Sequence, residues 1–282
     1  LWYFELFQHP LTAIELLQFT DCKGLTLEAC LDALDELVAE GAVFQFDIYF
    51  QTQNIPDWQN RRQRFNALAD KIMPKAQRMA RFIGAFPFVR AVFVSGSLSK
   101  HCMAPDSDVD FFIITAPRRL WLARTLLVLF KKLFLFDSHK YFCVNYFVDT
   151  AHLEIEEKNR FTATETVTLL PLYGGDWYEN FYRANAWAWA QFPNYPKRPT
   201  EAIRPPGRTV FKKMLEFLLG SPPGNWLDIL AMRLTVWYWR RKFRHMDAQT
   251  FNLALKSRRH VSKHHPQFFQ RKILEAYAER VR

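Results

Sequence analysis

The chain has 282 residues, enough for two or three domains, and 49% of them are hydrophobic. With 16% aromatic residues, 27 of them phenylalanine, and only 23% charged residues, the composition excludes an intrinsically disordered protein. The net charge of +10 is unevenly placed: residues 1–52 hold nine acidic residues and one basic residue, whereas residues 197–282 hold 19 basic and six acidic ones.

Nothing in the sequence indicates export or a membrane span. The N-terminus lacks the basic region of a secretory signal. The two most apolar segments, 120–136 and 226–239, are each interrupted by charged residues, so neither offers about 18–20 continuous apolar residues. None of the four cysteines forms a C-x-x-C pair. We therefore expect a reduced, cytoplasmic protein without a transmembrane segment.

Residues 1–52 are predicted to form three helices followed by two strands. Thr12 and Glu15 have the spacing of a capping box at the start of the second helix. Apolar residues at helical spacing predict the third helix over 27–40, and alternation over 42–51 predicts a β-hairpin. This order resembles a winged helix-turn-helix module.

The charge of that module argues against DNA reading. Residues 27–40, in the place of a recognition helix, carry five acidic residues and no Lys or Arg. Phosphate contacts supply most of the affinity of DNA-binding modules, and they need cations. We expect a module for protein docking or dimerisation, with the basic C-terminal segment as a surface on which it could rest.

A connecting helix is predicted from residue 53 to about Gly84, and a strand–turn–strand motif follows it. The apolar residues 89–94 read as a buried strand that enters a tight turn at Gly96-Ser97. Ten residues later Asp108-Val109-Asp110 opens a second strand, which continues through the apolar residues 111–114.

The two aspartates of this motif predict a metal site. Positions two apart in a strand face the same side, so Asp108 and Asp110 would direct both carboxylates to one point, with Val109 buried behind them. Mg²⁺ prefers oxygen ligands and is commonly held by one or two carboxylates together with substrate phosphates. The glycine turn allows backbone N–H groups and the Ser97 hydroxyl to approach a phosphate chain.

Together these residues are similar to the signature of the DNA polymerase β-type nucleotidyltransferases. The resemblance implies a site that transfers a nucleoside monophosphate from a nucleoside triphosphate (NTP) with Mg²⁺ or Mn²⁺. Asp108 and Asp110 would hold metal, and Gly96, Ser97 and Lys100 would contact the triphosphate. Further segments resemble bacterial nucleotidyltransferases that carry an N-terminal winged helix: 7–12, 120–124, 143–147, 162–165 and 184–187.

The superfamily usually places a third carboxylate on a later central strand, and here the sequence departs from that pattern. The corresponding strand, 141–148, contains Asn145 and is followed by Asp149. Asn145 offers a carbonyl ligand but no base, Asp149 could act as a base if the strand extends far enough, and Glu154 is a third option. The sequence leaves these alternatives open.

Three further polar residues have simpler interpretations. Lys100 either contacts phosphate or belongs to a solvated loop. Arg124 lies within a predicted helix, where it either reaches a nucleotide or extends along the surface to water. Glu165 lies near a predicted helix start at Thr162 or Thr164, where its simplest role is that of a capping residue.

The C-terminal region 161–282 is predicted to be helical and basic, with proline-rich breaks and with final helices that include 256–265. Aromatic residues beside cations, as in 237–243, allow three interpretations. They could bind RNA or another polyanion, lie on an anionic membrane surface, or form a core stripe with a solvated basic face.

The predicted fold is therefore α+β, in three parts: a winged-helix-like module (1–52), a nucleotidyltransferase core with a mixed sheet (53–160) and the helical basic region (161–282). Two functions are open. One is Mg²⁺-dependent nucleotidyl transfer to a hydroxyl on a small molecule, a protein or an RNA. The other is a non-catalytic, nucleotide-sensing regulator or assembly factor that retains a degenerate transferase fold.

Overall fold

The computed structural model describes residues 1–134, 140–203, 205, 207, 209–265 and 269–281. These residues form a mixed α+β fold, which confirms the predicted class. The elements in chain order are α1 (Trp2–Glu5), β1 (Leu11–Thr12), α2 (Ala13–Gln18), α3 (Leu27–Ala39), β2 (Phe44–Phe46), β3 (Tyr49–Gln51), α4 (Asp57–Gly84), β4 (Val89–Val94), β5 (Asp110–Thr115), α5 (Leu120–Phe134), β6 (Cys143–Asp149), α6 (Arg160–Thr168), β7 (Leu170–Tyr173), α7 (Gly175–Ala184), α8 (Ala186–Gln191), α9 (Val210–Gly220), α10 (Pro222–Lys242), α11 (Ala248–Ala254), β8 (Ser257–Arg258), β9 (Val261–Lys263) and α12 (Phe269–Val281).

The first 51 residues build a small antiparallel sheet in the order β1-β3-β2, on which α2 and α3 pack. The predicted capping box at the start of α2 is present: Thr12 accepts from the Glu15 N–H, and the Glu15 carboxylate accepts from the Thr12 N–H. Thr26 caps α3 in a similar way by accepting from the Ala29 N–H. Local sequence signals therefore place these helix starts correctly.

Two contacts attach this segment to the rest of the chain. Arg62 of α4 is only 4% exposed; its guanidinium lies 2.5 Å from Glu15 Oε1 and donates to the Pro10 carbonyl at 2.8 Å. At the other side α1 packs on the basic C-terminal helix α12, where Glu5 forms an ion pair with Arg280. The acidic segment thus contacts the basic C-terminal region, as its charge led us to expect.

The central sheet has six strands in the order β7-β4-β5-β6-β9-β8. Strands β5 and β6 are parallel, whereas the other neighbouring pairs are antiparallel. The sheet therefore does not end with the predicted core 53–160: it includes β7 and the β8–β9 hairpin from region 161–282. The helix predicted over 256–265 is wrong, because Val261 and its neighbours are buried by pairing with β6, a long-range contact that the polar local sequence does not reveal.

The two faces of this sheet are covered by different clusters, because successive side chains of a strand point to opposite faces. Val92 and Ile113 point into a cluster with α4, α5 and α11. Phe93 and Phe112 point into an aromatic cluster with Phe181 of α7. Burial on both faces explains why β4 and β5 are nearly continuous apolar runs.

In the part of the chain that the structure describes, none of the helices combines the length and the apolar character that crossing a bilayer would need.

Candidate functional site

The turn after β4 is closed against the start of β5. The Ser95 N–H donates to the Asp110 carbonyl at 3.0 Å, and Gly96 follows with a left-handed φ of +66°. A Cβ atom at Gly96 would lie 2.8 Å from Asp110 Oδ2. Residues with a side chain rarely adopt this φ. Glycine is therefore favoured here both by the backbone and by the carboxylate that packs on it.

Asp110 begins β5, and Asp108 lies two residues before it, so the strand starts later than the predicted start at Asp108. Val109 between them is fully buried, as predicted, and it bonds through its N–H to the Lys140 carbonyl at 2.9 Å. Both aspartates are only partly buried. Among the described residues, the Asp108 carboxylate takes part in no hydrogen bond or ion pair. The Asp108 carboxylate beside Asp110 is therefore available to a ligand as far as the described residues are concerned.

Burial raises the pKa of Asp110 to about 6, and the nearby carboxylates of Asp108 and Glu165 act in the same direction. Hydrogen bonds from Cys143 and Asn145 oppose the rise. Burial also raises the pKa of the Cys143 thiol to about 12, with the charge of Asp110 as a second cause. A pKa raised by burial and by like charge marks a place where a cation would be stabilising.

Asn145 reaches this point through an irregularity in β6. Phe111 pairs with Val144 and Phe112 pairs with Tyr146, so Asn145 is an additional residue on the β6 side of the ladder. Such a bulge redirects a side chain locally. The Asn145 amide donates to Asp110 Oδ1 at 3.0 Å. Of the open alternatives for the third position, Asn145 is the one that contacts the aspartates.

Asp149 and Glu154 lie elsewhere. Asp149 ends β6 opposite Thr115, which is five residues along β5 from Asp110 and thus about 17 Å away at the usual rise of a strand. Its Oδ1 accepts from the Ala151 N–H at 3.0 Å and contacts His152 Nδ1 at 2.8 Å. Glu154 pairs with Lys158. The structure therefore does not bring Asp149 to the two aspartates, because it lies at the opposite end of the strand.

Lys100 and Glu165 form an ion pair beside the turn. Lys100 Nζ lies 2.7 Å from Glu165 Oε1 and donates to the Gly96 carbonyl at 3.0 Å. The solvated-loop interpretation of Lys100 is therefore wrong. So is the capping role of Glu165, because Asn159 caps α6 and Glu165 lies in the helix interior. Sequence reasoning missed Glu165 as a site residue, although segment 162–165 already figured in the family resemblance.

Ser97 and Ser99 follow Gly96 in the turn after β4. Ser97 precedes a short 3₁₀ turn, and its hydroxyl lies 4.0 Å from the Met103 sulfur. The Ser99 hydroxyl donates to the Gly96 carbonyl at 2.8 Å. Arg124 is not part of this site: it is buried, with its guanidinium 4.6 Å from the centre of the Trp239 ring. Neither predicted role of Arg124 is observed.

The N-terminal segment approaches the site through His9. Burial lowers the pKa of His9 well below its usual value, and the charges of Arg62 and Lys100 add to the effect. His9 Nε2 lies 2.5 Å from Arg62 Nη1, and since Arg only donates, His9 accepts there. A neutral histidine of the first module thus contacts a buried arginine of α4 and lies within the electrostatic influence of Lys100.

The aspartates offer a divalent cation two carboxylates, and within the described residues no three His, Cys, Asp or Glu side chains are grouped as metal ligands. Mg²⁺ accepts such a sparse set because it retains waters and takes phosphate oxygens as ligands. Two surface cavities of about 320 and 350 Å³ lie elsewhere, one beside His152 and Lys256 and the other beside Arg78 and Tyr141.

No protein-family model, curated protein or solved structure matches the chain.

Proposed function

We propose that the protein is a metal-dependent nucleotidyltransferase of the DNA polymerase β type. One observation carries the proposal: the left-handed Gly96 turn packs directly on Asp110, with Asp108 beside it. A turn that presents backbone N–H groups next to two carboxylates suits a metal–triphosphate complex, which is anionic at its phosphates and cationic at its metal.

The sheet supports the same proposal. The glycine turn follows β4, Asp110 begins the antiparallel neighbour β5 with Asp108 just before it, and the third position lies on β6, which is parallel to β5. This brings three chain segments to one end of the sheet. The first 51 residues, with helices α1 to α3 and the sheet β1-β3-β2, have the order of a winged helix, and we propose that assignment for them.

In the proposed reaction, Asp108 and Asp110 would hold Mg²⁺ or Mn²⁺, which would activate the attacking hydroxyl and stabilise the charge of the leaving pyrophosphate. Asn145 holds Asp110 in place through its amide. Gly96 leaves room for the Asp110 carboxylate beside the turn, and Ser97 would add a hydroxyl for the phosphates. Lys100 would supply a cation for a phosphate oxygen, and it is held beside the turn by the Gly96 carbonyl.

A second candidate, a non-catalytic nucleotide-sensing regulator, is favoured by one observation. Asn145 occupies the position at which the superfamily usually has a third carboxylate. Its neutral amide donates to Asp110 and cannot offer a metal ion the negative charge of a carboxylate. An amide cannot accept the proton of an attacking hydroxyl. In that case the triphosphate would bind without turnover, and the N-terminal module would carry the response to a partner.

The first experiment separates these candidates. Purified protein is incubated with each α-labelled NTP and Mg²⁺ or Mn²⁺, with and without cell extract, beside the double variant Asp108→Asn/Asp110→Asn. Asp32→Asn, on the exposed side of α3, is the matched control for loss of a carboxylate. Transfer of label by the wild type and the control, but not by the double variant, supports the transferase.

Calorimetry with the same NTPs completes the test. Metal-dependent binding that needs Asp108 and Asp110, without transfer of label, would favour the regulator. Absence of both binding and transfer would refute nucleotide handling at this site altogether.

A further inference from the structure

Two consecutive helices, α9 and α10, present large apolar side chains to solvent. Phe217 is 84% exposed, Trp226 75% and Trp237 61%. Leu230 and Leu234 are about half exposed and lie between the two tryptophans. The spacing of four, four and three residues from Trp226 to Trp237 puts these side chains on one stripe of α10. An apolar surface of this extent on a folded protein marks an interaction site.

The exposed stripe is not the face by which these helices pack on the domain, because each helix buries a different face. In α9, Lys212 is 1% exposed, and its ammonium donates to the carbonyls of Gly84 and Val89 at 2.7 and 2.8 Å. In α10, Asp228 and Trp239 are buried. The helices are therefore anchored on the domain by one face while the apolar stripe remains outside.

The acidic residues of this helix pair both point inward. Glu216 pairs with Arg90 at 2.7 Å and accepts from the Phe88 N–H at 2.6 Å. Asp228 is fully buried and accepts from the Leu122 N–H at 2.9 Å. No other acidic residue occurs between 210 and 242. The outward face of α9 and α10 is therefore free of carboxylates.

The exposed charged residues on the same helices are all basic: Lys213, Arg233, Arg240, Arg241 and Lys242. Three of them, Arg240 to Lys242, follow Trp237 and Tyr238 after the buried Trp239, and the Arg241 guanidinium lies 5.9 Å from the centre of the Trp237 ring. The face thus combines leucine, phenylalanine and tryptophan with cations only. Helices that lie in the interface of an anionic bilayer have this composition.

Other occupants fit this face less well. Nucleic-acid interfaces are polar, and phosphates would leave Phe217 and Leu230 without an apolar partner. A second copy bound across a two-fold axis would bring like-charged patches together, because such a contact uses the same surface twice. The apolar part and the charge are both complementary to a surface of anionic lipid headgroups over acyl chains.

We propose that the outward face of α9 and α10 binds the surface of a membrane that contains anionic lipids. The helices lie in the interfacial layer with the apolar stripe inserted, and the basic residues contact headgroups. The inference is independent of nucleotidyl transfer, since no site residue takes part. It also gives a role to the exposed aromatic and basic side chains of 237–242.

Flotation with lipid vesicles tests the proposal. The full chain is mixed with vesicles of phosphatidylcholine alone or of phosphatidylcholine with phosphatidylglycerol, at low and at high salt. We expect flotation with the anionic vesicles, and weaker flotation at high salt because the attraction to headgroups is screened. Trp226→Glu and Phe217→Ser should each lower binding more than tenfold. Ile48→Ser, at an exposed isoleucine of the β2–β3 turn, is the matched control and should bind like the wild type.

The double variant Arg240→Gln/Arg241→Gln tests the electrostatic part. Each basic residue near an anionic surface contributes about 1 kcal/mol, so the partition coefficient should fall about fivefold for each charge removed. Binding to uncharged vesicles should not change. Circular dichroism of each variant establishes whether it is folded. If Trp226→Glu does not fold, Phe217→Ser still tests the apolar contribution.

Several results would overturn the proposal. Failure to float with anionic vesicles is one, and unchanged flotation of folded Trp226→Glu and Phe217→Ser is another. Binding of single-stranded RNA without binding of vesicles would assign the face to a nucleic acid. A dimer in light scattering that Trp226→Glu dissociates, without vesicle binding, would assign it to a contact between copies.

Discussion

Three glycines of this chain have nearly the same left-handed backbone and differ in what an added methyl group would contact. Gly41 has a φ of +71° and open space around its Cβ position. Gly96 has a φ of +66° and would place a Cβ 2.8 Å from Asp110 Oδ2. Gly174 has a φ of +73° and would place a Cβ 2.2 Å from the Arg90 carbonyl. Alanine at each position therefore separates the backbone cost from the steric cost.

The expected losses of unfolding free energy are graded. Gly41→Ala should cost about 1–2 kcal/mol, which is the penalty of a side chain in the left-handed region. Gly96→Ala adds the displacement of the Asp110 carboxylate and of its hydrogen bond to Asn145, for a total of roughly 2–4 kcal/mol. Gly174→Ala clashes with strand backbone, which cannot move aside, and should cost about 4 kcal/mol or more.

Urea unfolding of the three variants measures the grading, and calorimetric titration with Mg²⁺ and NTP measures the consequence for the site. Gly41→Ala should bind like the wild type, whereas folded Gly96→Ala should lose more than tenfold in affinity because Asp110 is displaced. Equal losses of stability for Gly41→Ala and Gly96→Ala would refute the close packing of the turn on Asp110. Unchanged affinity of Gly96→Ala would refute the assignment of this turn to the triphosphate.

Lys212→Met should lower the unfolding free energy by about 2–4 kcal/mol, since two buried carbonyls lose a charged donor; urea unfolding measures this, and a change within error would contradict it. Burial raises the pKa of Asp228 to about 6, so the contribution of this carboxyl to stability should fall as pH rises from about 4 to 6. The difference in unfolding free energy between the wild type and Asp228→Asn should therefore change over that range in a pH series of urea unfolding, and a difference that does not depend on pH would contradict the raised pKa. Lys100→Met should weaken metal-dependent NTP binding about tenfold, because a charged donor to the phosphates is lost. Glu165→Gln frees Lys100 from its carboxylate and should tighten NTP binding about threefold. Weaker binding by Glu165→Gln would instead make Glu165 part of the binding site.

The local part of the site could be predicted from the sequence. The alternation of polar and apolar residues predicts a buried Val109 between Asp108 and Asp110, which the structure shows although β5 begins only at Asp110. A glycine between an apolar run and a polar loop likewise indicates a turn. Helix starts at Thr12 and Thr26 were equally local, because a capping side chain contacts backbone only three residues away.

The non-local part could not be predicted. Asn145 contacts Asp110 through a bulge that exists only because β6 pairs with β5. Glu165 contacts Lys100 because α6 crosses the glycine turn, and nothing near Glu165 in the sequence specifies that crossing. For Asp149 the sequence pattern predicted a proximity that the structure does not show. Its spacing from Asn145 fits a common strand face, but four residues of strand separate the two by about 13 Å.

The position of β9 in the central sheet has a consequence for biosynthesis. Val261–Lys263 pairs with β6, and the His264 N–H donates to the Asn145 carbonyl at 3.0 Å. Until that segment leaves the ribosome, β6 has one unpaired edge, and its paired neighbour is β5, which begins at Asp110. Edge strands recruit other chains, and such long-range pairing forms slowly. A nascent chain halted before residue 261 would therefore present its site as an aggregation-prone edge, which makes this protein a candidate client of chaperones during synthesis.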